Sequence, residues 1–554
     1  MRSSFLFVAL FLGGVGGWAA ACSSPEGGGD LSLTGSDGGA GDGTSSEISL
    51  EDTAPAGPAD DFPASPILDA PSGGTAAPKS APSLFAAAGA ASGGPCLAEP
   101  QVGSLFPRNF LRPRFRFMAP TGHNLFEIRL HTEAEKNDLV VYTTATTFVL
   151  PTEIWSGISA HAIDKPITMT VRSGAYDAAT DKLTSGPFTG TTGTFTIAPA
   201  EATGTIVYWV APGGGTALSQ LKGFTVGDES VKDVLDPSKI AGSKCVGCHT
   251  STPDGKNVAT SSSDTPADGS GPAWVEIRSL ADPTASPSFL SAAAKTLLQR
   301  RDQHALAFSK AHWAAGDHVM LSALSIAGKR EIVWTDLEAT SADQGKGWDV
   351  LPRTGDANAA GGAAWSHDGT KIVYFSAPAI GAGLIDSAGQ SDLFVVPYGD
   401  KKGGAATQLY KDAATASFYP QFSADDALVA FTRVPRGEST YNNPKAEIML
   451  VPAAGGTATR IIANDPSSCV GGASPGITNS WPKWSPAATP SGGKTYYWLT
   501  FSSTRGAGNP QLYVAPIVVS GGTVTSYPAL YLWNQPAAEH NHTPAWDVFA
   551  LPVK

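Results

Sequence analysis

The stretch "AAWSHDGTKIVYFS", residues 363–376, places a tryptophan before a Ser-x-Asp-Gly turn and follows it with an apolar run. Related stretches are "LAFSKAHWAAGDHVMLSAL" (306–324), "PQFSADDALVAFTR" (420–433), "PKWSPAATPSGGKTYYWLTFSSTR" (482–505) and "PAWDVFALP" (544–552). A sixth copy contains Asp254-Gly255, which matches Asp368-Gly369. We expect both Asp-Gly pairs to form hairpin turns, because tight hairpin turns need positive φ and glycine adopts positive φ readily.

The residue before each turn serves as an anchor for aligning the copies. The six anchors are Ser251, Phe308, Trp365, Phe422, Trp484 and Trp546, at intervals of 57, 57, 57, 62 and 62 residues. Most copies are followed by a second pair of apolar runs, such as "SDLFVVPYG" (391–399). Four short strands per regular repeat are typical of a β-propeller.

Six anchors predict a six-bladed β-propeller over residues 203–554. The last copy is short, so we expect its outer strands to come from "TGTIVYWV" (203–210) and "LKGFTVGD" (221–228), which precede the first anchor. Closing the ring in this way removes open sheet edges. The motifs resemble the TolB-like (WD-like) propeller repeat, and this resemblance covers the same residues.

Residues 98–200 contain short runs that alternate apolar and polar positions, such as "RFRFMAP" (114–120) and "NLFEIRLHT" (124–132). About seven short strands in a hundred residues predict an antiparallel β-sandwich. The pattern resembles fibronectin type III or immunoglobulin-like modules. The folded part of the chain is therefore predicted to be all-β.

The N-terminus is typical of an exported protein. Residues 1–21 contain an early arginine, an apolar run and small residues, which together resemble a bacterial lipoprotein signal peptide with Cys22 as the lipidated residue. An ordinary signal peptide cut nearby is the alternative. Residues 22–97 are rich in Gly, Ala, Ser and Pro, and their composition predicts a disordered linker. We expect a location in the periplasm or at the outer-membrane or cell surface.

The charge balance limits the classes of partner. The chain has 37 basic and 49 acidic residues, a net charge of -12. This balance argues against nucleic acid and anionic membrane surfaces as partners, so contact with a membrane is expected only through the lipid anchor.

Two of the five cysteines fall in "CVGCH", residues 245–249. Cys-x-x-Cys-His is the attachment signature of c-type haem, in which two thiols bond to the porphyrin and the histidine binds the iron. The sequence therefore predicts haem c held by Cys245, Cys248 and His249. A redox dithiol or a disulfide between the two cysteines is the alternative. A zinc site would need more Cys or His at ligand spacing nearby.

The repeat alignment indicates candidates for the second iron ligand. Four residues before the anchor, the two copies on either side of the haem copy carry His304 and His542. Either is predicted to bind the iron from the opposite face, and His542 is favoured. Met320 is the competing candidate, although its position within a strand is more typical of a core residue.

The remaining cysteines, Cys96 and Cys469, either form a disulfide between sandwich and propeller or remain free thiols. The leading functional hypothesis is one-electron transfer by a haem c protein with a redox partner protein. The alternative is a module that binds a protein or glycan while the haem is structural or sensory. An enzyme with an open iron site is a third hypothesis, although the sequence shows no acid/base constellation for it.

Overall fold

The computed structural model describes residues 60–211, 219–265, 273–506 and 508–551, and the chain is mostly β within these ranges. The predicted signal peptide and Cys22 lie outside the described residues. None of the helices in the described ranges is long and apolar enough to cross a membrane.

The first part of the chain forms two sheets. Its elements are β1 (Ile67–Leu68), α1 (Ala81–Leu84), β2 (Cys96–Glu99), β3 (Leu105–Phe106), β4 (Arg114–Met118), β5 (Leu125–His131), β6 (Leu139–Thr143), β7 (Thr147–Val149), α2 (Thr152–His161), β8 (Ile167–Asp177) and β9 (Lys182–Ile197). One sheet has the order β1-β6-β5-β8-β9-β3, and the other has the order β2-β4-β7. Phe117 and Phe126 meet between the sheets with ring centroids 4.8 Å apart, so the two faces share one apolar core.

Residues 60–97 belong to this module, and the prediction of a disordered linker is wrong for them. Phe62 and Phe85 are each only 2% exposed. Strand β1 pairs in parallel with β6, with Ile67 opposite Val141. The Gly- and Ala-rich composition did not indicate this order, because the few aromatic side chains of the segment are buried in a core that is formed mainly by residues elsewhere in the chain.

The second part of the chain consists of six sheets. Its strands are β10 (Thr205–Ala211), β11 (Gln220–Thr225), β12 (Lys232–Leu235), β13 (Cys245–Ser251), β14 (Asn257–Ser263), β15 (Trp274–Ser279), β16 (His304–Phe308), β17 (Val319–Ile326), β18 (Lys329–Asp336), β19 (Trp348–Val350), β20 (Ala359–Trp365), β21 (Lys371–Ala377), β22 (Asp392–Pro397), β23 (Thr407–Tyr410), β24 (Thr415–Phe422), β25 (Leu428–Pro435), β26 (Glu447–Pro452), β27 (Thr459–Arg460), β28 (Asn479–Trp484), β29 (Thr489–Ser491), β30 (Lys494–Ser503), β31 (Gln511–Ser520), β32 (Thr523–Ser526), β33 (Leu530–Tyr531) and β34 (His540–Asp547). Helices α3 (Ala292–Leu298) and α4 (Lys310–Ala314) and the 3-10 turns Pro237–Lys239, Ala382–Leu384 and Ile462–Asn464 connect them.

The sheets have the orders β13-β14-β15, β16-β17-β18-β19, β20-β21-β22-β23, β24-β25-β26-β27, β28-β30-β31-β32 and β34-β10-β11-β12. These antiparallel sheets are consistent with the blades of a β-propeller. The first strands of successive sheets contact each other, and β34 contacts both β28 and β13. The prediction that residues before the first anchor complete the last sheet is confirmed, because β34 pairs with β10.

Each of the six anchors lies on the first strand of its sheet, and each of those strands has a β-bulge just before the anchor. A bulge inserts one extra residue and re-aims the side chains around it. At the position three residues before the anchor, φ is positive in five of the six strands, at Ala305, Gly362, Tyr419, Trp481 and Thr543. The shared bulge therefore sets which residues face the centre of the ring.

The two parts of the chain are joined covalently and by packing. Cys96 and Cys469 form a disulfide with their Cα atoms 5.5 Å apart. The indole nitrogen of Trp498 donates to the Glu201 carbonyl at 3.0 Å, and that of Trp533 donates to the Arg112 carbonyl at 2.8 Å. The apolar core of the first module continues into β10, β11 and β31, so the two parts share one core.

Candidate functional site

A central cavity of about 1030 Å³ opens where the six first strands meet. All six residues at the position three before the anchor line it, namely Cys248, Ala305, Gly362, Tyr419, Trp481 and Thr543. The bulge is the cause, because it turns this position toward the centre in every sheet. The cavity is therefore a product of the repeat rather than of one loop.

Aromatic rings form one side of this cavity. Tyr419 and Trp481 are stacked, with centroids 5.5 Å apart and planes inclined by 18°. His542 follows, with its centroid 4.6 Å from Trp481 and 5.9 Å from Trp209. A wall of this kind presents flat apolar surface with one heteroaromatic ring in the middle.

His542 is 6% exposed and lines the cavity. Its Nδ1 is buried without a hydrogen-bond partner among the described residues. Burial lowers the pKa of His542 to about 3, so the ring is neutral and carries one nitrogen lone pair. Because buried polar atoms are nearly always paired in native proteins, His542 is a candidate ligand-binding residue of this cavity.

His249 lines the same cavity, and each of its two ring nitrogens lies close to a backbone carbonyl oxygen. Its Nδ1 lies 3.1 Å from the Gly247 carbonyl oxygen and its Nε2 lies 3.0 Å from the Val207 carbonyl oxygen. Burial lowers the pKa of His249 to about 4, so the neutral ring can donate to only one of these acceptors. The lone pair of the other nitrogen then faces a carbonyl oxygen, which is also an acceptor. That nitrogen could instead bind a hydrogen-bond donor or a metal ion.

Cys248 and Lys483 provide the polar chemistry of the wall. Cys248 is a free thiol, partly exposed to the cavity, and burial raises its pKa above the usual value. Burial lowers the pKa of Lys483 to about 8, and the charge of Lys483 in turn favours the Cys248 thiolate. The thiol is therefore protonated at neutral pH.

The structure does not bring Cys245 to this cavity. Cys245 is fully buried in the apolar cluster between β10 and β13, which includes Val207 and Trp209. Its sulfur lies 3.3 Å from the Ser219 hydroxyl. The two cysteines of the motif therefore face different surroundings, because the bulge lies between them.

The other predicted iron ligands are also separated from the cavity. His304 does not line it, and its Nε2 lies 3.1 Å from the Asp302 carboxylate, which Arg330 also contacts. Met320 is fully buried in the core between two sheets, as its position within a strand favoured. Of the two histidines at equivalent repeat positions, only His542 faces the centre.

Three residues of the site were missed in the sequence. Tyr419 and Trp481 lie three residues before their anchors, and Lys483 lies one residue before Trp484. The repeat alignment does indicate these residues, at three residues and one residue before the anchor. The histidines were selected at four residues before the anchor. An aromatic residue at the same offset in two consecutive repeats was the feature to follow.

Within the described ranges, no group of three or more His, Cys, Asp or Glu side chains could hold a metal ion. A bare zinc site is therefore not supported there. A haem iron has a lower requirement, because the porphyrin supplies four nitrogens and the protein only the axial ligands.

Comparisons with known proteins give only distant structural matches. No protein-family model and no curated protein matches the sequence. Among solved structures, a Mycobacterium tuberculosis puromycin-hydrolyzing peptidase is 12% identical with a TM-score of 0.31, over 58% of this chain and 50% of that one. A putative 6-phosphogluconolactonase from Bacteroides fragilis is 13% identical with a TM-score of 0.29, over 60% and 95%. A Hadza microbial sialidase is 9% identical with a TM-score of 0.27, over 79% and 92%.

The chain thus spans about half the length of the puromycin-hydrolyzing peptidase. These are distant structural matches to β-propeller domains. No activity follows from them for this chain.

Proposed function

We propose that this chain is an exported, lipid-anchored haem protein that transfers single electrons, with the haem held in the central cavity. The six sheets would form a TolB-like, six-bladed propeller, and the first module would be its fibronectin- or immunoglobulin-like sandwich. The electron donor or acceptor would be a redox partner protein outside the cytoplasm.

One observation carries the proposal. Cys248, His249 and His542 line the same cavity. Nδ1 of His542 has no hydrogen-bond partner among the described residues, and the neutral His249 ring can donate to only one of the two carbonyl oxygens that its nitrogens contact. A haem iron accepts two such nitrogens, and a cysteine beside one of them can bond to the porphyrin. His249 and His542 would hold the iron.

The lining of the cavity fits attachment through one thioether and does not fit attachment through two. Cys248 lines the cavity, whereas Cys245 is fully buried in the apolar cluster with Val207 and Trp209. The proposal therefore assigns covalent attachment to Cys248 alone. Cys245 would instead contribute to the packing between β10 and β13.

When bound, the haem would supply a one-electron couple, and the chain's own residues would set its surroundings. Trp209, Tyr419 and Trp481 would exclude water from one side of the cavity. Ligation by two imidazoles lacks the methionine that raises the potential of histidine–methionine haems, so a comparatively low potential is expected.

The experiment is expression of the full chain together with a cytochrome c maturation system. The intact mass and the pyridine haemochrome spectrum report covalent haem and the number of thioethers. We expect one haem attached through a single thioether. Cys248→Ser should abolish covalent attachment, and its matched control Cys245→Ser should retain it with an unchanged band position.

A two-thioether spectrum in the wild type would instead mean that β13 opens during maturation, so that the single-thioether assignment is wrong. The absence of any haem in the wild type would remove the haem proposal. Reversible reduction by small redox mediators would support electron transfer. A haem that resists reduction would favour the alternative, a protein- or glycan-binding module with structural or sensory haem.

A further inference from the structure

Lys483 carries the only formal charge on the wall of the central cavity at neutral pH, among the described residues. It lies one residue before its anchor, where the other five repeats have Thr250, Ala307, Ala364, Gln421 and Ala545. Five uncharged residues at equivalent positions show that the fold does not require a lysine there. The charge is particular to one sheet.

The Lys483 ammonium group lacks a close counter-ion. No hydrogen bond or salt bridge joins it to another described residue, and the groups whose charge would raise its pKa are Cys248, which is protonated at neutral pH, and Asp547. Asp547 already forms a salt bridge with Lys310, at 3.1 Å. Burial lowers the pKa of Lys483 to about 8, so the amine remains mostly protonated at neutral pH.

Lys483 lines a second cavity as well as the central one. The second cavity lies further along the same first strands, at the level of the anchors. Lys483, Leu306, Ala363 and Gln421 line both cavities. Lys483 is therefore one of the residues at which the two cavities adjoin.

An uncompensated ammonium in an apolar cavity is unfavourable unless a ligand brings the opposite charge. The walls beside it are apolar or aromatic, with Tyr419 and Trp481 stacked nearly parallel. Flat apolar walls with a single cation are complementary to a flat ring system that carries an acid group.

We propose that Lys483 pairs with the carboxylate of a planar, largely apolar ligand held in the central cavity. This inference rests on the proposed function where the ligand is haem, whose propionate would be the acid group. The ring would lie along the aromatic wall, and the ammonium group would fix which edge of the ring points toward the second cavity.

The test uses the full chain and two iron-free probes, protoporphyrin IX and its dimethyl ester. The ester keeps the ring and removes both carboxylates, and the absence of iron removes any contribution from histidine ligation. Binding is measured by quenching of tryptophan fluorescence, since Trp209 and Trp481 line the cavity. The variants are Lys483→Met, of similar length without the charge, and Lys483→Arg, which keeps it.

We expect the wild type to bind the diacid about tenfold or more tightly than the ester, as a charge-assisted pair in a dry site would give. Lys483→Met should lose that preference and leave ester binding unchanged, and Lys483→Arg should keep part of it. Equal affinities in the wild type, an equal loss for both probes in Lys483→Met, or no binding of either probe would overturn the inference.

Failure of this inference is distinguishable from failure of the haem proposal. A diacid preference that depends on Lys483, in a chain that attaches no haem during maturation, supports Lys483 as an acid-group anchor and removes the haem function. Covalent haem in a chain without that preference supports the haem function and overturns the role of Lys483.

Discussion

The imidazole of His542 packs against the indole of Trp481, with ring centroids 4.6 Å apart and planes inclined by 63°. This contact orients the imidazole while leaving Nδ1 without a hydrogen-bond partner. A side chain fixed by packing and unsatisfied in its hydrogen bonding is prepared for a ligand.

In the haem-loaded protein, His542→Ala should convert ferric iron from low-spin to high-spin and allow rapid binding of carbon monoxide to the ferrous form. The reason is the loss of one axial nitrogen. Absorption and electron paramagnetic resonance spectra measure the change. The matched control is His304→Ala, which should leave the spin state unchanged because Asp302 holds His304 away from the cavity. A low-spin His542→Ala protein would contradict the assignment.

The turn at Gly255 is a second test, because it connects the first anchor hairpin with the end of the chain. Gly255 has a φ of 71°, as predicted for the Asp-Gly turns, and an added Cβ would lie 1.9 Å from the Val548 carbonyl oxygen. Gly328 has a φ of 81° and nothing within 4 Å of an added Cβ, so Gly328→Ala reports backbone strain alone.

We expect Gly255→Ala to lower the free energy of unfolding by about 2 kcal/mol more than Gly328→Ala, because backbone atoms must move apart. The hydrogen bond from the Ala550 amide to the Gly255 carbonyl, at 2.8 Å, should weaken as well. Chemical denaturation measures both variants. Equal losses would show that the chain end is not fixed against this turn.

The disulfide between Cys96 and Cys469 closes a loop with a sequence separation of 373 residues. Removing a disulfide that restrains so long a loop in the unfolded chain is expected to cost about 2–5 kcal/mol. Cys96→Ser and the double variant Cys96→Ser/Cys469→Ser should lose the same amount in denaturation experiments. The two modules should remain associated, since they share one apolar core. An unchanged stability would contradict the prediction.

Glu447 is 5% exposed and accepts hydrogen bonds from Arg460 at 2.7 Å, Arg433 at 3.0 Å and Ser474 at 2.8 Å. Burial by itself raises the pKa of Glu447, but these hydrogen bonds together lower it below the usual 4.5. A carboxylate whose pKa is lower in the folded state stabilises the protein above the unfolded-chain pKa. That stabilisation is lost as the pH falls through the folded value.

Glu447→Gln should therefore be less stable than the wild type at pH 7, by about 1–2 kcal/mol because both arginines are partly exposed. The difference should shrink as the pH is lowered from 5 toward 3. Denaturation at several pH values measures it. A difference that is constant over this range would show that the charge of Glu447 is not responsible.

The repeat could be predicted from the sequence because it depends on residues that are close together in the chain. Anchors such as Trp365 and Trp484 precede turns that need positive φ, and alternation in the following runs predicts strands. The supply of β10 and β11 to the last sheet also followed from local pattern, because a short final repeat leaves an edge that must be covered. Neighbouring residues alone carry this information.

The site depended on tertiary structure. The bulge that turns Cys248, Tyr419 and Trp481 toward the centre has no residue signature, since that position is also occupied by Ala, Gly and Thr. Histidine at equivalent repeat positions looked alike in the sequence, yet Asp302 holds His304 aside while His542 faces the cavity.

The sequence by itself determined the strand-forming repeats, the number of repeats, which is six, and the Cys-x-x-Cys-His motif. Only the tertiary structure decided that Cys248 faces the cavity while Cys245 packs between two sheets. It also decided that residues 60–97 are ordered and that Lys483 forms no salt bridge with another residue in the described part of the chain. The physical reason is that strand formation depends on neighbours in the chain. Burial and charge pairing depend on side chains that the ring brings together from distant repeats.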